Sequence, residues 1–352
     1  MTYQKILVTG GAGFVGSAMA FGLKQQYPDS HVIAFDNLKR RGSELNLLRL
    51  KAAGIAFVHG DIRNPEDLSI FSPDLIVECS AEPSVLAGYS SPKYVIQTNL
   101  VGTINCLELA RQAKSDFIFF STSRVYPIKS ASQLAYRETS SRFELIDQTQ
   151  MGASREGIAE SFSLEGVRSL YGTTKLASEL LIAEYADAYG LRTVIDRCGV
   201  LTGPWQMGKV DQGVFALWML AHCFNRPLKY IGFGGSGKQV RDFLHVDDLV
   251  DLVKVQLKEI ETIKGQVFNV GGGVENSLSL LETTRLCEEI SGRRIEIEAS
   301  SEERLGDIPI FITDSRKVKA ALGWQPVRDA KQTLTDIYTW INQHADELKS
   351  VL

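Results

Sequence analysis

The run Thr9-Gly-Gly-Ala-Gly-Phe-Val-Gly16 follows a short apolar stretch, Lys5–Thr9, and opens an amphipathic one. Gly10, Gly13 and Gly16 give the GxxGxxG spacing, and Gly11, Gly13 and Gly16 give GxGxxG. Glycines there permit a tight turn and let the backbone approach a pyrophosphate at the N-terminus of the following helix. A glycine turn with no ligand is the plain alternative, and the strand–turn–helix context counts against it.

The first half of the chain continues in the same rhythm. Lys5–Thr9, His31–Asp36, Ala56–His59, Leu75–Glu78, Phe117–Ser121 and Thr193–Arg197 read as short apolar strands. Ser17–Tyr27, Tyr94–Lys114 and Thr173–Tyr189 read as helices between them. Nearly all-apolar strands alternating with helices predict a parallel sheet covered on both faces. The expected class is therefore α/β, a doubly wound parallel (Rossmann) sheet with a smaller C-terminal substrate-binding domain. Glycine punctuation after Arg197 places the boundaries: 1–197 and 240–268 for the dinucleotide-binding domain, 198–239 and 269–352 for the other.

A length of 352 residues suits two domains, and a net charge of −4 gives no basis for binding nucleic acid or an anionic membrane. Five scattered cysteines without a CxxC argue against a disulfide framework and against a metal site. There is no apolar run of bilayer length and no apolar leader before Lys5, so a cytoplasmic enzyme is expected.

Asp36 ends the second strand, where a carboxylate accepts hydrogen bonds from an adenosine ribose and disfavours a 2′-phosphate, so NAD is the expected cofactor. The basic turn Lys39-Arg-Arg41 beside it reads equally as solvated or as phosphate-binding. Asp61, after the third strand, suits either an adenine amino group or a helix N-cap. Ser121 and Thr122 end another strand, where such sheets place their ligands. Tyr171 and Lys175 share one helical face at a spacing of four. An ammonium beside a phenol favours the phenolate, so the tyrosine is expected to be lowered from about 10 toward neutrality. Arg241 and Arg304 suit a diphosphate, or else ordinary ion pairs. His245 reads as structural.

Together these runs resemble the extended short-chain dehydrogenase/reductase superfamily, in its nucleotide-sugar epimerase and dehydratase branch. The resemblance spans essentially the whole chain, through Phe35-Asp-Asn-Leu38, Gly60-Asp-Ile-Arg-Asn64, Asn99-Leu-Val-Gly-Thr103, Ser121-Thr-Ser-Arg-Val-Tyr126, Tyr171-Gly-Thr-Thr-Lys175 and Phe268-Asn-Val-Gly-Gly-Gly273. It implies a catalytic set of Thr122, Tyr171 and Lys175. It implies cofactor contacts from Gly10, Gly13, Phe14, Val15, Gly16, Asp36, Asn37, Asp61, Ile62, Ala81, Asn99, Ser121, Tyr171 and Lys175. Substrate contacts would come from Glu82, Ser123, Arg124, Gln212, Arg241 and Arg304. Val210-Asp-Gln-Gly-Val-Phe215, Asn276-Ser-Leu-Ser-Leu-Leu-Glu282 and an insertion beginning at Arg137 are similar to the CDP-sugar 2-epimerases of the branch. That insertion is expected to line the substrate site.

In the branch, 4,6-dehydratases carry Asp-Glu where this chain has Ser123-Arg124, and decarboxylases carry Glu at Arg124. The resemblance thus implies an epimerase that oxidises a ring hydroxyl transiently and returns hydride to the opposite face. The expected substrate is a nucleotide-diphosphate sugar, foremost a CDP-hexose inverted at carbon 2. A UDP-sugar 4-epimerase and a non-catalytic NAD-binding sensor or scaffold are the alternatives. A homodimer through Tyr94–Lys114 and Thr173–Tyr189 is also implied. The chain departs from the branch at Glu78-Cys-Ser-Ala-Glu82, where members often have His-x-Ala-(Ala/Gly)-Gln, and at Pro127 and Val200. Glu82 would sit near the nicotinamide or sugar, as an acid or base or as an acceptor for sugar hydroxyls.

Overall fold

The computed structural model describes residues 2–209, 212–303 and 306–351. Seven strands form one all-parallel sheet: β1 (Lys5–Thr9), β2 (His31–Asp36), β3 (Ala56–His59), β4 (Leu75–Glu78), β5 (Asp116–Thr122), β6 (Thr193–Cys198) and β7 (Gln266–Val270). Their order is β7-β6-β5-β4-β1-β2-β3, so the chain is α/β and doubly wound. It leaves β1 toward β3, then returns to β4 on the other side. That reversal opens a crevice at the carboxyl ends of β1 and β4, where ligands of such sheets bind.

Side chains alternate across the sheet with the period of a strand. Ile6 and Val8 pack with Met19 and Leu23 of α1 (Phe14–Gln26), while Leu7 on the opposite face packs with Leu107 of α2 (Gly102–Ala113) and Ile182 of α3 (Leu170–Tyr189). Each such buried side chain contributes about 1.5–3 kcal/mol. The segment before α2 runs without a break from Pro92 through a π-helical stretch, Gln97–Val101.

The second lobe is built on a smaller sheet. Val240–His245 pairs with Val200–Thr202, Ser277–Ser279 and Ile310–Phe311. Helices Val214–Phe224, Leu280–Ser291 and Ala330–Gln343 pack into one core through Phe215, Trp218, Leu334 and Trp340. His245 ends the central strand and caps α4 (Val246–Lys258), its ring accepting the Asp247 N–H at 3.0 Å. Leu249 and Val253 of α4 then join the core of the large sheet.

The insertion folds as two short hairpins, Tyr136–Glu138 with Phe143–Leu145 and Ala153–Ser154 with Gly157–Ile158. They pack on the second lobe and on the outer edge of β7. Ile158 donates to the Ile312 carbonyl at 2.8 Å, and Phe143 to the Lys238 carbonyl at 3.0 Å. Glu160 accepts the outward N–H of Asn269 at 2.6 Å, and Lys317 donates to the Val267 carbonyl at 2.7 Å.

Candidate active site

The cleft at the sheet's carboxyl edge has two connected chambers of about 330 and 350 Å³, which share Gly10, Gly13, Cys79, Ala81 and Gln212. Glycine shapes the first. Gly10 has φ +63°, and a Cβ there would lie 2.8 Å from the Cys79 carbonyl oxygen. A Cβ on Gly16 would lie 2.0 Å from the Gly10 carbonyl oxygen, so only glycine lets α1 start this close to β1. Gly13 is the N-cap of α1 and supplies no side-chain cap. The first amides of α1 therefore keep their capacity for an anion. Asp36, at the end of β2, accepts the N–H of Ala12 at 3.1 Å and of Leu38 at 2.8 Å. Burial raises its carboxyl, and these backbone donors oppose the rise.

Asn37, Asp61 and Ile62 line the outer chamber. Asp61 takes both nitrogens of a fork from Arg63 and the Asn37 amide at 2.9 Å. Burial works to raise Asp61, but Arg63 and Asn37 prevail and hold it at about 2. Lys39 and Arg41 of the basic turn are exposed to solvent, and all three of its side chains also have contacts within the protein. Lys39 lies over the Tyr94 ring at 4.4 Å, Arg40 donates to Gln212 and to the Met207 carbonyl, and Arg41 reaches the Ser350 carbonyl.

The inner chamber holds Ser121, Thr122, Ser123, Arg124, Tyr171 and Lys175 together. Ser169 caps α3 by accepting the Gly172 N–H, which fixes the first turn that carries Tyr171. The Tyr171 hydroxyl is hydrogen-bonded to Thr122. Thr122 Oγ1 also accepts the Arg124 N–H at 3.2 Å.

Tyr171 and Lys175 do not interact as their spacing suggests. Burial pushes Tyr171 up to about 12, against the pull of the Thr122 hydrogen bond and of the Arg124 charge. The expected net lowering is not seen, because burial prevails. Lys175 Nζ instead rests over the Phe119 ring at 4.1 Å, on the sheet floor. Burial lowers its ammonium, and Glu78 is the leading charge that opposes this. The reason is length: a spacing of four aligns Cβ atoms, and the long lysine stem then carries its ammonium over the apolar floor to the Phe119 ring. Glu78 is fully buried at the end of β4, raised by that burial, and accepts only Thr103 at 3.1 Å.

Behind Ser121 runs a buried polar chain. Ser121 donates to Glu179, which Arg197 grips with a fork at 2.7 and 3.1 Å. Arg197 also donates to the Tyr126 hydroxyl at 3.3 Å, and Tyr126 donates to Asn269 at 2.7 Å.

These residues fit a dinucleotide along the chambers: bare helix amides beside Gly13, a carboxylate at Asp36, and hydroxyls at the sheet's edge. The family model described as "NAD dependent epimerase/dehydratase family" matches residues 6–271. The chain belongs to that family. CDP-paratose 2-epimerase of Salmonella typhi is 34% identical, covering 96% of this chain and 99% of that protein. The solved UDP-glucose 4-epimerase of Thermotoga maritima with UDP-glucose superposes with a TM-score of 0.77 at 25% identity, covering 97% of this chain and 100% of that one. A dTDP-glucose 4,6-dehydratase double mutant of Streptomyces venezuelae, solved with NAD bound, gives 0.78 at 26% identity and 99% coverage of both. NAD is the cofactor of this epimerase/dehydratase family member.

Of the remaining residues named from sequence, Ala81 lines both chambers, Glu82 the outer one, and Gln212 both. Asn99 is fully buried behind the wall. Its amide accepts the Glu82 N–H at 2.8 Å and donates to the Glu82 carbonyl at 3.0 Å, so it holds the loop after β4. Arg241 reaches a third, 40 Å³ chamber through Arg124 and pairs with Asp307, a partly buried ion pair rather than a surface one. Arg304 lies outside the described residues. The insertion supplies no lining: residues 133–166 do not border any of the three chambers. Sequence reading of this epimerase/dehydratase chain missed Glu78 as the lysine's charge partner and Cys198 and Met207 as cleft wall. Glu78 alone carried a signal, as an acid at a strand end where the family often has histidine.

Proposed function

We propose that this family member is an NAD-dependent epimerase that inverts carbon 2 of a CDP-hexose. One observation supports inversion over water elimination. Among the described residues, no aspartate or glutamate lines the inner chamber around Tyr171. Elimination needs a general acid and base beside the sugar, whereas inversion needs one proton acceptor and a reversible hydride acceptor. The similarity to a CDP-sugar 2-epimerase over 96% of the chain supports the carbon and the nucleotide.

In this reading Tyr171 takes the proton of the reacting hydroxyl and gives it back after the sugar has turned over. Thr122 orients that hydroxyl and shares its proton with Tyr171. Lys175, its stem on Phe119, holds a cofactor ribose, and Arg241 holds the substrate diphosphate. Bound NAD supplies the hydride acceptor and, with its cationic ring, favours the phenolate. Exposed Ile96 and Leu180, on neighbouring helices, support a homodimer through this face. Incubating the purified protein with CDP-, UDP- and dTDP-hexoses and following the ring protons by NMR tests the proposal. Inversion at carbon 2 of a CDP-sugar is expected. Inversion only at carbon 4 of a UDP-sugar, or a dehydrated keto product, overturns it.

A further inference from the structure

Helix α3 carries Tyr171, Lys175 and Glu179 at intervals of four, on one face. Tyr171 and Lys175 line the inner chamber, and Glu179 lies buried two turns behind Tyr171. The Glu179 carboxylate ties the helix to two strands at once. Ser121, near the end of β5, donates to it, and Arg197, on β6, holds both of its oxygens at 2.7 and 3.1 Å. Ser121, Arg197 and Asn269 are direct neighbours in register across β5, β6 and β7. Tyr126 joins the last two, accepting from Arg197 at 3.3 Å and donating to Asn269 at 2.7 Å. At the outer end of this polar row, Glu160 of the insertion accepts the Asn269 N–H at 2.6 Å.

Apolar side chains of similar volume often serve stability as well as a buried ion pair does, so the pair itself is weak evidence of stabilisation. What a bonded, buried network supplies is one fixed arrangement of the elements it joins. Here the elements are α3 and the ends of β5 and β6. At the helix start a Cβ on Gly172 would lie 2.1 Å from the Arg124 carbonyl oxygen, so α3 abuts the turn after β5. That wall resists approach but not withdrawal, and the bonds of Glu179 resist withdrawal. We propose that Glu179 is a positioning residue for proton transfer: through Ser121 it holds α3 against the end of β5, and so keeps Tyr171 in place beside the reacting hydroxyl. The insertion, which borders none of the chambers, joins the far end of the same row through Glu160. The proposal rests on Tyr171 acting as the base of the epimerase. A misplacement of about 1 Å between reacting groups can cost about 10²-fold in rate.

The experiment uses the NAD-bound protein with two double variants. The first is Glu179→Met with Arg197→Met, the second Glu179→Gln with Arg197→Met. Both remove the two charges together, so neither leaves a buried charge unpaired. Only the second keeps an acceptor for the Ser121 hydroxyl. The first should lose roughly 10–100-fold in kcat with KM within about threefold of the wild type, and the second should recover most of that loss. Equal kcat in the two, whether high or low, would overturn the proposal, as would a loss confined to melting temperature or to KM. Should the first variant not fold, Ser121→Ala, which leaves the ion pair intact, should show the same fall in kcat with NAD still bound. A wild-type rate there, or loss of NAD, would overturn the proposal. Hydrogen exchange at residues 171–175, followed by mass spectrometry, reads the tie without substrate: it should quicken in the first variant and not in the second. If no nucleotide sugar is turned over but that contrast appears, the epimerase reading fails and the hold of Glu179 on α3 stands; without the contrast, that hold falls too.

Discussion

Asp196 lies in the middle of β6, fully buried, and accepts a single hydrogen bond, from Gln256 at 2.8 Å. Its second oxygen and the Gln256 side-chain oxygen both lack partners. A proton on the carboxyl, or the amide of asparagine, supplies the donor that these two acceptors need. Burial accordingly raises Asp196 from 3.8 to about 7. The folded state therefore keeps a proton that the unfolded chain releases at about pH 4. Stability falls as pH rises from about 4 to 7 and levels off above that, at about 1.4 kcal/mol per unit and roughly 4 kcal/mol at most. Asp196→Asn should abolish this slope. Urea unfolding at pH 5 and pH 8, with NAD held saturating, measures it. The variant should exceed the wild type by about 1.5 kcal/mol at pH 5 and by about 4 kcal/mol at pH 8. A variant less stable than the wild type at pH 8 would refute the argument, because Gln256 would then require the ionised carboxylate.

Tyr171→Phe should lower turnover by about 10²–10⁴-fold while NAD stays bound, and a near-wild-type rate would remove Tyr171 from the chemistry. Gly16→Ala places a methyl 2.0 Å from backbone that cannot rotate away, so melting temperature and NAD affinity should both fall, at a cost of roughly 1–3 kcal/mol. Equilibrium dialysis with NAD and a thermal melt read the two effects. Glu179→Gln leaves the buried Arg197 charge without its carboxylate and should destabilise by roughly 3–5 kcal/mol, seen as a lower urea midpoint.

The strands of the large sheet are legible because burial on both faces leaves apolar runs with sharp ends. Leu75–Glu78 and His31–Asp36 stand where the sequence places them. The first helix begins at Phe14, ahead of the expected Ser17, because the glycine turn is itself the helix start. The seventh strand, Gln266–Val270, carries no crossover signal of its own and joins the sheet only through its pairing with β6. Tyr171, Lys175 and Thr122 could be named from spacing and strand ends, but their electrostatics could not. Where the lysine's ammonium rests depends on Phe119, fifty-six positions away, and the leading charge that opposes its lowering comes from Glu78, at the end of another strand. The insertion was legible as an insertion. That it docks on the second lobe follows from backbone hydrogen bonds to Ile312 and Lys238, which no local pattern announces.

The outer edge of β7 ends the large sheet, and Glu160 and Lys317 occupy its outward N–H and carbonyl. An open edge of that kind is a template for adding strands from other molecules. The insertion thus doubles as a guard against aggregation. Trimming it, or splicing in a shorter loop without the Glu160 carboxylate, would free the outward N–H of Asn269, leave Lys317 to cover that edge without it, and favour self-association during refolding, whatever became of catalysis.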